Sequence, residues 1–414
     1  MPCIIPKLDI ITISSFKDLS YADIASVVTG RFLSEEMPEY QIRRIAEKAY
    51  NFDVPIEIIH SNCYVLRLDQ GPSASFKDFA SRFMAHLMNY FSENKLLVLV
   101  ATSGDTGGAV AQAFYDQSQV DVVITFPINE VSPRQRKQMT TLGENITSIA
   151  VRGKFDDCQA LVKKAFSDFQ LKDLNLTSAN SINFARLLPQ LVYYFYAYSR
   201  VCKKSERVIF SVPSGNFGNL VSGLIAKRMG LPVKIFIVAV NKNDEFVKFL
   251  ETGIYEPIQS SIKCMSNAMN VGHPSNLARL IDLYGGQMDE SGLLIKLPDL
   301  GKIKRDMFAI SIDDNETRKV IKNIYKKHRK ILDPHGAVAW AGAQKYLKKN
   351  NEKCPVISLE TAHPGKFPEE LNKMGIFPQL PDSMKGLDEK REISSQVITN
   401  SYDSFKTLLK NMKH

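Results

Sequence analysis

The sequence predicts an α/β protein whose parallel β-sheets are covered by helices on both faces. From residue 96 onward, short and continuous apolar runs alternate with stretches of helical periodicity. Continuous apolar runs of strand length are typical of strands buried on both faces, and their alternation with helices indicates the crossover connections of a parallel sheet. Sheets of this kind bind their ligands at the carboxyl ends of the strands.

The elements follow one another in a regular order. Residues 1–59 are predicted to form a mainly helical N-terminal region, because apolar residues recur at helical spacing between residues 21 and 50. Strands are predicted at residues 96–102, 121–126, 146–151, 207–212, 234–240 and 355–359. Helices are predicted at residues 109–115, 158–166, 220–229 and 402–412.

Length and composition are typical of a soluble globular protein. A chain of 414 residues exceeds one ordinary core and predicts two or three domains. Hydrophobic residues make up 44% of the chain and charged residues 23%. No apolar run approaches the roughly 20 residues that span a bilayer, and the N-terminus has neither a signal-peptide pattern nor a transit-peptide composition. We therefore expect a cytoplasmic protein without a membrane partner.

Cysteine spacing and charge exclude two further classes of function. The six cysteines, from Cys3 to Cys354, lie far apart without a Cys-x-x-Cys pair, which argues against a zinc site and a disulfide framework. The net charge of +9 comes from scattered basic residues, and the small clusters at residues 322–330 and 345–353 are not interleaved with aromatic residues in a recognition pattern. We expect no metal and no nucleic-acid partner, whereas a mildly basic surface attracts anionic metabolites.

Two glycine turns share one design. Residues 98–109 read Val-Leu-Val-Ala-Thr-Ser-Gly-Asp-Thr-Gly-Gly-Ala, and residues 208–219 read Val-Ile-Phe-Ser-Val-Pro-Ser-Gly-Asn-Phe-Gly-Asn. In each, a strand leads through a glycine turn into a helix, so that backbone N–H groups face an anion. Neither turn has the spacing of a Walker loop or a dinucleotide fingerprint. Tight turns also need glycine for structural reasons alone, but two matched turns favour a pair of anionic ligands.

Lys77 lies at the predicted start of a helix, directly after a turn at residues 71–76. Phe76 and Phe79 are its apolar neighbours in the sequence. A lysine held among apolar groups near a helix N-terminus has a lowered pKa, which leaves a free amine able to form a Schiff base. Most lysines are simply solvated, so the local chemistry alone leaves both interpretations open.

Six segments resemble the signatures of threonine synthases, a branch of the tryptophan-synthase-β-like (fold type II) enzymes that use pyridoxal 5'-phosphate (PLP). They occur in the family's order from about residue 55 to the C-terminus, and the segment around Lys77 is similar to the family's PLP-lysine motif. The six segments are Ser73-Ala-Ser-Phe-Lys-Asp-Phe, Ser103-Gly-Asp-Thr-Gly-Gly, Ser178-Ala-Asn-Ser-Ile-Asn-Phe-Ala-Arg, Pro213-Ser-Gly-Asn-Phe-Gly-Asn, Asp333-Pro-His-Gly-Ala-Val-Ala and Glu360-Thr-Ala-His-Pro-Gly-Lys-Phe.

The resemblance implies two parallel-type sheets flanked by helices, one in a large domain and one in a small domain. We accordingly expect a large PLP-binding domain from residues 60–90 and 186–414 and a smaller α/β domain from residues 91–185, beside the helical region at residues 1–59. Relatives usually begin with a further segment ahead of the position that Met1 occupies here. That difference bears on the packing of the N-terminus and leaves the PLP site untouched.

The resemblance also implies the site residues. Lys77 would hold PLP and act as the catalytic base. Cofactor contacts are implied for Gly215, Asn216, Phe217, Gly218, Asn219 and Thr361, the last through its hydroxyl at the pyridine nitrogen. Substrate contacts are implied for Ser103, Gly104, Thr106 and Gly107 at the α-carboxylate and for Asn180, Ser181 and Arg186 at the phosphate. Asp105 stands where related enzymes often carry Asn, and no contact is assigned to it.

The implied reaction converts O-phospho-L-homoserine and water into L-threonine and phosphate by γ-elimination and β-addition, which makes the chain a carbon–oxygen lyase. Lys77 would transfer protons at several steps, while PLP would stabilise the negative charge on carbon. The alternatives are a related PLP-dependent phospholyase, a serine/threonine dehydratase and a non-catalytic binding protein with the same fold. A monomer or homodimer is expected.

Overall fold

The computed structural model describes residues 5–181, 183–393 and 395–412 and forms two compact units. The first unit comprises the chain up to Asp69 together with Leu187–Pro378, and the second comprises Gln70–Arg186 together with the chain from Gln379 onward. Cys3 of the sequence prediction lies outside the described residues. Of the helices that the described residues form, none is both long and apolar enough to cross a membrane.

The strands predicted from the sequence are present, with ends that differ by a residue or two. They correspond to β3, β4, β5, β7, β8 and β12. In chain order the strands are β1 Ile56–His60, β2 Cys63–Arg67, β3 Leu96–Ala101, β4 Val120–Pro127, β5 Ile146–Arg152, β6 Leu176–Ser178, β7 Val208–Pro213, β8 Val233–Val240, β9 Gln287–Met288, β10 Leu294–Lys296, β11 Met307–Ser311, β12 Val356–Glu360 and β13 Ser395–Thr399.

The predicted helices are also present. In chain order the helices are α1 Ile10–Ser15, α2 Tyr21–Leu33, α3 Glu39–Ala49, α4 Lys77–Phe91, α5 Asp105–Phe114, α6 Pro133–Thr140, α7 Phe155–Ser167, α8 Val192–Val201, α9 Gly218–Met229, α10 Glu245–Thr252, α11 Leu277–Leu283, α12 Leu300–Asp306, α13 Asp314–His328, α14 Pro334–Lys349, α15 Pro368–Asn372 and α16 Tyr402–Asn411. Helix α5 begins four residues before its predicted start, because Gly107 and Gly108 have low helix propensity and conceal its first turn.

The first unit contains a six-stranded sheet in the order β1-β2-β12-β7-β8-β11. Strands β2, β12, β7, β8 and β11 are parallel to one another. Strand β1 is antiparallel to β2, a hairpin that the prediction of a parallel sheet did not include. Asn62 lies in the connection and adopts a φ of 58°, which suits the tight turn of a hairpin. The short antiparallel pair β9 and β10 belongs to the same unit.

Helix α9 packs closely on this sheet through a glycine. The rings of Tyr194, Phe210 and Phe236 form a cluster, with centroids 4.9 Å apart for Tyr194 and Phe210 and 5.9 Å apart for Tyr194 and Phe236. A Cβ atom on Gly223 would lie 2.7 Å from the Phe236 ring and 2.8 Å from the Tyr194 ring. Because protein interiors are close-packed, the absence of this Cβ sets the distance between α9 and the sheet.

The N-terminal region is helix-rich, as predicted, and packs on helix α8 of the same unit. Ser20 begins α2 with a capping box, in which its hydroxyl accepts the N–H of Asp23 at 3.1 Å. The ring of Phe16 packs edge-on against Phe195, with centroids 6.1 Å apart. Arg200 Nη1 donates to Phe16 O at 2.8 Å. These contacts join the N-terminal helices to the core of the first unit.

The second unit contains a five-stranded parallel sheet in the order β13-β5-β4-β3-β6. Along β3, Val98 and Val100 belong to one apolar cluster, whereas Leu97 and Leu99 belong to another. Both faces of the strand are therefore covered, which explains its continuous apolar run. The three-part domain division stays a prediction, and the compact units differ from it by grouping residues 70–90 and the chain from Gln379 onward with this sheet.

A matched pair of glycine substitutions tests the packing of α9. Gly223→Ala is expected to destabilise the protein by about 1–3 kcal/mol, because the new methyl group overlaps two buried rings. Gly30→Ala in α2 is expected to stabilise it by about 0.5–1 kcal/mol, because the nearest atom there, Ile42 Cδ1, lies at an ordinary 3.8 Å. Urea unfolding of both variants measures the difference, and equal effects would contradict the packing argument.

Candidate functional site

Lys77 begins helix α4 at the end of a strained loop. Ala74 in this loop adopts a φ of 54°, which residues with a side chain seldom occupy. Asp78 closes the loop: its Oδ2 accepts the N–H of Ser73 at 2.9 Å, and a Cβ atom on Gly71 would lie 2.5 Å from the same oxygen. The loop therefore fixes the position of the Lys77 backbone at the start of α4.

The Lys77 amine has a pKa near neutrality. The side chain is partly buried, and its Nζ lies 4.5 Å from the centroid of the Phe76 ring. Burial lowers the pKa of Lys77 to about 7; the positive charge of Arg186 adds to this effect, and the negative charge of Asp105 opposes it. Much of the amine is therefore uncharged at neutral pH, which is the form that attacks a carbonyl group.

Arg186 is buried beside helix α4. Only 1% of its surface is exposed, and its Nη1 donates to Ser81 Oγ. Ser81 stands four residues after Lys77, so both side chains lie on the same face of α4. A buried guanidinium beside a largely uncharged amine suits an anionic ligand, and its forked donors match the oxygens of a phosphate.

The turn between β3 and α5 is organised by Thr102. Its Oγ1 accepts the N–H groups of Gly104 and Gly107, both at 2.9 Å. Sequence reasoning expected N–H groups of this turn to face a ligand, but these two donate to Thr102. Ser103 and Thr106 are partly buried, and their hydroxyls form no hydrogen bond with any residue that the structure describes. These two hydroxyls are therefore available as donors to a ligand.

Glycine is required at two positions of this turn, as the sequence predicted. Gly104 adopts a φ of 139°, and a Cβ atom on Gly107 would lie 2.2 Å from Met139 Sδ. Asp105 is the first residue of α5, and its Oδ1 accepts a hydrogen bond from Gln135 Nε2 at 3.0 Å. This bond holds the carboxylate inside the second unit, where its charge acts on the amine described above.

The segment after β6 carries the remaining residues that were predicted to bind phosphate. Asn180 Oδ1 accepts the N–H of Ala101 at 3.0 Å, and its Nδ2 donates to Ala101 O at 2.6 Å. The Asn180 amide thus ties this segment to the end of β3. Ser181 follows it and is partly buried. The roles of both residues at a phosphate stay predictions.

The second glycine turn lies in the first unit, between β7 and α9. Phe217 precedes α9 with φ 61° and ψ 3°, and its side chain is buried. A Cβ atom on Gly215 would lie 2.9 Å from Ala268 O, so glycine is required there. The N–H groups of Gly218 and Asn219 stand at the start of a helix and have no intrahelical partner, so they offer donors to an anion.

Two asparagines of this turn are held by neighbours that sequence reasoning missed. Asn216 O accepts the backbone N–H of Asn276 at 3.2 Å and its Nδ2 at 3.0 Å. Asn219 Oδ1 accepts the hydroxyls of Tyr193 at 2.7 Å and Tyr194 at 2.6 Å. Asn219 Nδ2 is buried and has no hydrogen-bond partner within the described part of the chain. This nitrogen is therefore available to a ligand oxygen.

Thr361 follows β12, which is paired in parallel with β7. Ser358 of β12 lies beside Ser211 of β7, so the two strands end at the same edge of the sheet. Only 5% of Thr361 is exposed, and its hydroxyl donates to none of the described residues. The structure thus brings Thr361 and the Gly215 turn to one edge, where parallel sheets bind ligands.

These features fit PLP. The cofactor requires a largely uncharged lysine amine for its aldehyde, a phosphate site, and a group at its pyridine nitrogen. The second unit brings together Lys77, Asp105 and Arg186. The first unit supplies a helix-start turn with available N–H groups and, in Thr361, an available hydroxyl.

Several residues that shape the site were not predicted. A spacing of four residues from Lys77 could have indicated Ser81, but Tyr193 and Tyr194 have the sequence appearance of ordinary core residues. Lys366 is completely buried in the last of the six motif segments and received no role from the sequence. The others that sequence reasoning missed are Asp78, Thr102, Gln135 and Asn276.

Comparison with known proteins covers the whole length of the chain. Residues 54–360 match the family described as "Pyridoxal-phosphate dependent enzyme", residues 1–50 match "Threonine synthase N terminus", and residues 336–409 match "Threonine synthase, C-terminal". A threonine synthase of Haemophilus influenzae is 39% identical over 387 residues, which cover 92% of this chain and 86% of the relative.

Two solved structures confirm the fold type II architecture. A threonine synthase of Escherichia coli has a TM-score of 0.90 at 35% identity and covers 100% of this chain and 93% of its own. A PLP-bound threonine synthase of Brucella melitensis has a TM-score of 0.90 at 34% identity, with 99% of this chain and 92% of its own covered. The chain therefore belongs to the threonine synthase family of PLP-dependent enzymes.

Proposed function

We propose that the chain converts O-phospho-L-homoserine and water into L-threonine and phosphate. The observation that carries the proposal is the pairing of Lys77 with Arg186: a lysine with a pKa of about 7 lies under the influence of a buried guanidinium. The amine suits proton transfer at carbon, and the guanidinium suits a phosphorylated substrate. The guanidinium favours a phosphorylated substrate over the unphosphorylated amino acid of a dehydratase.

The cofactor contacts of the proposal are Lys77, Thr361 and the turn from Gly215 to Asn219. When bound, PLP supplies a ring that accepts the negative charge left on carbon when a proton departs. The N–H groups at the start of α9, together with Asn219 Nδ2, would hold the phosphate. The Thr361 hydroxyl would face the pyridine nitrogen. Because a hydroxyl does not hold that nitrogen protonated, as a carboxylate does, it favours elimination and replacement over transamination.

The Lys77 amine is the proposed base at Cα of the substrate. A group with a pKa near 7 is uncharged often enough to accept a proton and charged often enough to return one. One residue can therefore serve successive transfers: removal of the proton at Cα, transfer at Cβ that permits loss of the γ-phosphate, and protonation at Cγ before water adds to Cβ. Each positioned transfer contributes about 10²–10⁴-fold to the rate.

The substrate contacts divide between two segments of the second unit. The hydroxyls of Ser103 and Thr106 are available for the α-carboxylate, while Gly104 and Gly107 give the turn its shape. Arg186 is the proposed cation for the substrate phosphate. The other proposed phosphate contacts are Asn180 and Ser181.

The surroundings of the enzyme remain part of the proposal. We expect a cytoplasmic protein that acts as a monomer or homodimer. We expect no nucleic-acid partner, because the charge of +9 comes from scattered basic residues. The division into a helical region (1–59), a large domain (60–90 and 186–414) and a small domain (91–185) is proposed on the same footing.

The assignment of Lys77 is tested by assaying Lys77→Ala beside the wild type. With O-phosphohomoserine as the substrate, formation of threonine and phosphate is expected to fall by at least about 10³-fold, because the variant loses both the covalent attachment of PLP and the base. Lys172→Ala is the matched control: Lys172 is an exposed lysine of the same unit that lies over the Phe169 ring. The control is expected to keep full activity.

Product identity separates the proposed reaction from its alternatives. Threonine and phosphate should appear in equal amounts. Release of 2-oxobutanoate without threonine would show a lyase that does not add water at Cβ. Equal activity of Lys77→Ala and the wild type would overturn the catalytic assignment, and a wild type that fails to bind PLP would indicate a binding protein that keeps the fold.

The ionisation of Lys77 is tested by amine labelling of the PLP-free protein across pH. The labelling rate at Lys77 is expected to follow a titration centred near pH 7, falling as the pH drops because the amine gains its proton. Arg186→Gln should raise the pKa of Lys77 by removing a positive charge, and Asp105→Asn should lower it by removing a negative one. Mass spectrometry of the Lys77 peptide measures the midpoints. Shifts in the same direction for both variants would contradict the electrostatic account.

A further inference from the structure

Two of the motif segments contain residues with no part in the chemistry proposed above, and the first unit joins them in a buried hydrogen-bond chain. Glu360 Oε1 accepts the N–H of Asp333 at 2.6 Å. Asp333 Oδ1 in turn accepts a hydrogen bond from the Nδ1 of His335 at 2.5 Å. Glu360 and Asp333 are completely buried, and His335 is 3% exposed. Hydrogen bonds between buried polar groups restrict the orientations of the groups that they join.

The hydrogen-bond chain continues through Nε2, the second ring nitrogen of His335. The backbone N–H of Ala268 donates to His335 Nε2 at 3.1 Å. Nε2 accepts this bond only when it carries no proton, so the ring proton is on Nδ1, where it is donated to Asp333. The two bonds together fix the tautomer and the orientation of the imidazole ring.

Ala268 forms a wall of the glycine turn between β7 and α9. A Cβ atom on Gly215 would lie 2.9 Å from Ala268 O and 3.0 Å from Met269 Cα. The backbone of Gly215 therefore lies directly against the segment that His335 holds. At its other end the chain reaches Glu360, which immediately precedes Thr361. The hydrogen-bond chain thus connects the two places at which the first unit is proposed to contact PLP.

We propose that His335 is a positioning residue for the phosphate turn of PLP. By holding Ala268, it fixes the wall against which Gly215 packs and so sets the directions of the N–H groups that follow. The proposal rests on the assignment of Gly215–Asn219 to the cofactor phosphate. Because those donors are backbone groups, a displacement of the turn weakens phosphate binding without removing any ligand.

The charges along the chain agree with this role. Burial, together with the negative charge of Asp333, raises the pKa of Glu360 well above its usual range, and the positive charge of Arg67 opposes this effect. The Asp333 carboxylate accepts hydrogen bonds from the backbone N–H groups of His335 at 2.8 Å and Gly336 at 3.0 Å, besides the imidazole. These donors make it the N-cap of α14.

The test compares two replacements of His335 that keep different halves of its hydrogen bonding. His335→Gln retains an acceptor at the position of Nε2, whereas His335→Asn retains a donor to Asp333 and leaves the Ala268 N–H without its acceptor. Val338→Ala is the matched control, since Val338 is buried on the same helix but belongs to its apolar side. For each variant, PLP affinity is measured by titration of the PLP-free protein, the environment of the bound phosphate by ³¹P NMR, and stability by thermal unfolding without PLP.

His335→Asn is expected to weaken PLP binding about tenfold and to shift the ³¹P resonance, because a buried donor loses its partner and the wall of the turn moves. His335→Gln is expected to restore most of the affinity and the resonance. Val338→Ala is expected to lower the unfolding temperature while leaving both PLP readouts unchanged.

Three outcomes would overturn the proposal. Wild-type affinity and an unchanged ³¹P resonance in His335→Asn would show that the ring does not set the turn. An equal loss in Val338→Ala would reduce the effect to general stability. Failure of the wild type itself to bind PLP would instead refute the cofactor assignment on which the proposal rests.

A measurement on the wild type keeps the proposal testable if His335→Asn does not fold. Amide hydrogen exchange of the PLP-bound enzyme should show slow exchange at Ala268, because its N–H is bonded to a buried ring. Rapid exchange at Ala268 beside slow exchange in β7 would show that His335 does not hold this segment, and would overturn the proposal.

Discussion

The proposed contacts of the first unit with PLP depend on one constraint, the parallel pairing of β7 with β12. Because Ser211 lies beside Ser358, both strands leave the sheet at one edge, the first into the turn that opens α9 and the second into Thr361. Strand β7 leads through this turn directly into α9, and the first N–H groups of a helix have no intrahelical partner. The fold thus places a helix start, with its backbone N–H groups, at the edge where parallel sheets bind ligands.

The second unit meets a different requirement, which is to keep a lysine close to the boundary between charged and uncharged. Burial disfavours the ammonium form of Lys77, the guanidinium of Arg186 adds repulsion, and the carboxylate of Asp105 limits the effect, so that the pKa settles at about 7. Each pKa unit corresponds to about 1.4 kcal/mol of difference between the two forms. The three charges stand on α4, on α5 and in the segment before α8. Rigid packing of this unit is therefore what fixes the pKa.

The sequence predicted the parts of this protein that local pattern determines. Continuous apolar runs predicted the central strands, and the glycine motifs predicted two strand-to-helix turns, whose binding of anions stays a prediction. Strands β1 and β11 were not predicted, because short strands that lie half-buried at an edge of the sheet lack such a run. Two sets of hydrogen bonds were not predicted for another reason: those between Asn180 and Ala101, and those that Thr102 accepts from Gly104 and Gly107. A motif shows which polar residues occur, but whether they bond to a ligand or to the backbone is decided by tertiary contacts.

The hydrogen-bond chain from Glu360 to His335 is an example of polar residues that bond to the backbone. A buried polar network of this size is a weak source of stability, because apolar residues of the same volume often stabilise a core equally well. What apolar residues cannot do is hold one backbone N–H in one direction, as His335 holds that of Ala268. Where backbone N–H groups are the proposed donors to a phosphate, the strength of binding depends on the position of the backbone. Gly215 has no side chain with which to fix the position of the turn. The residues that pack against its backbone, Ala268 and Met269, must therefore fix it.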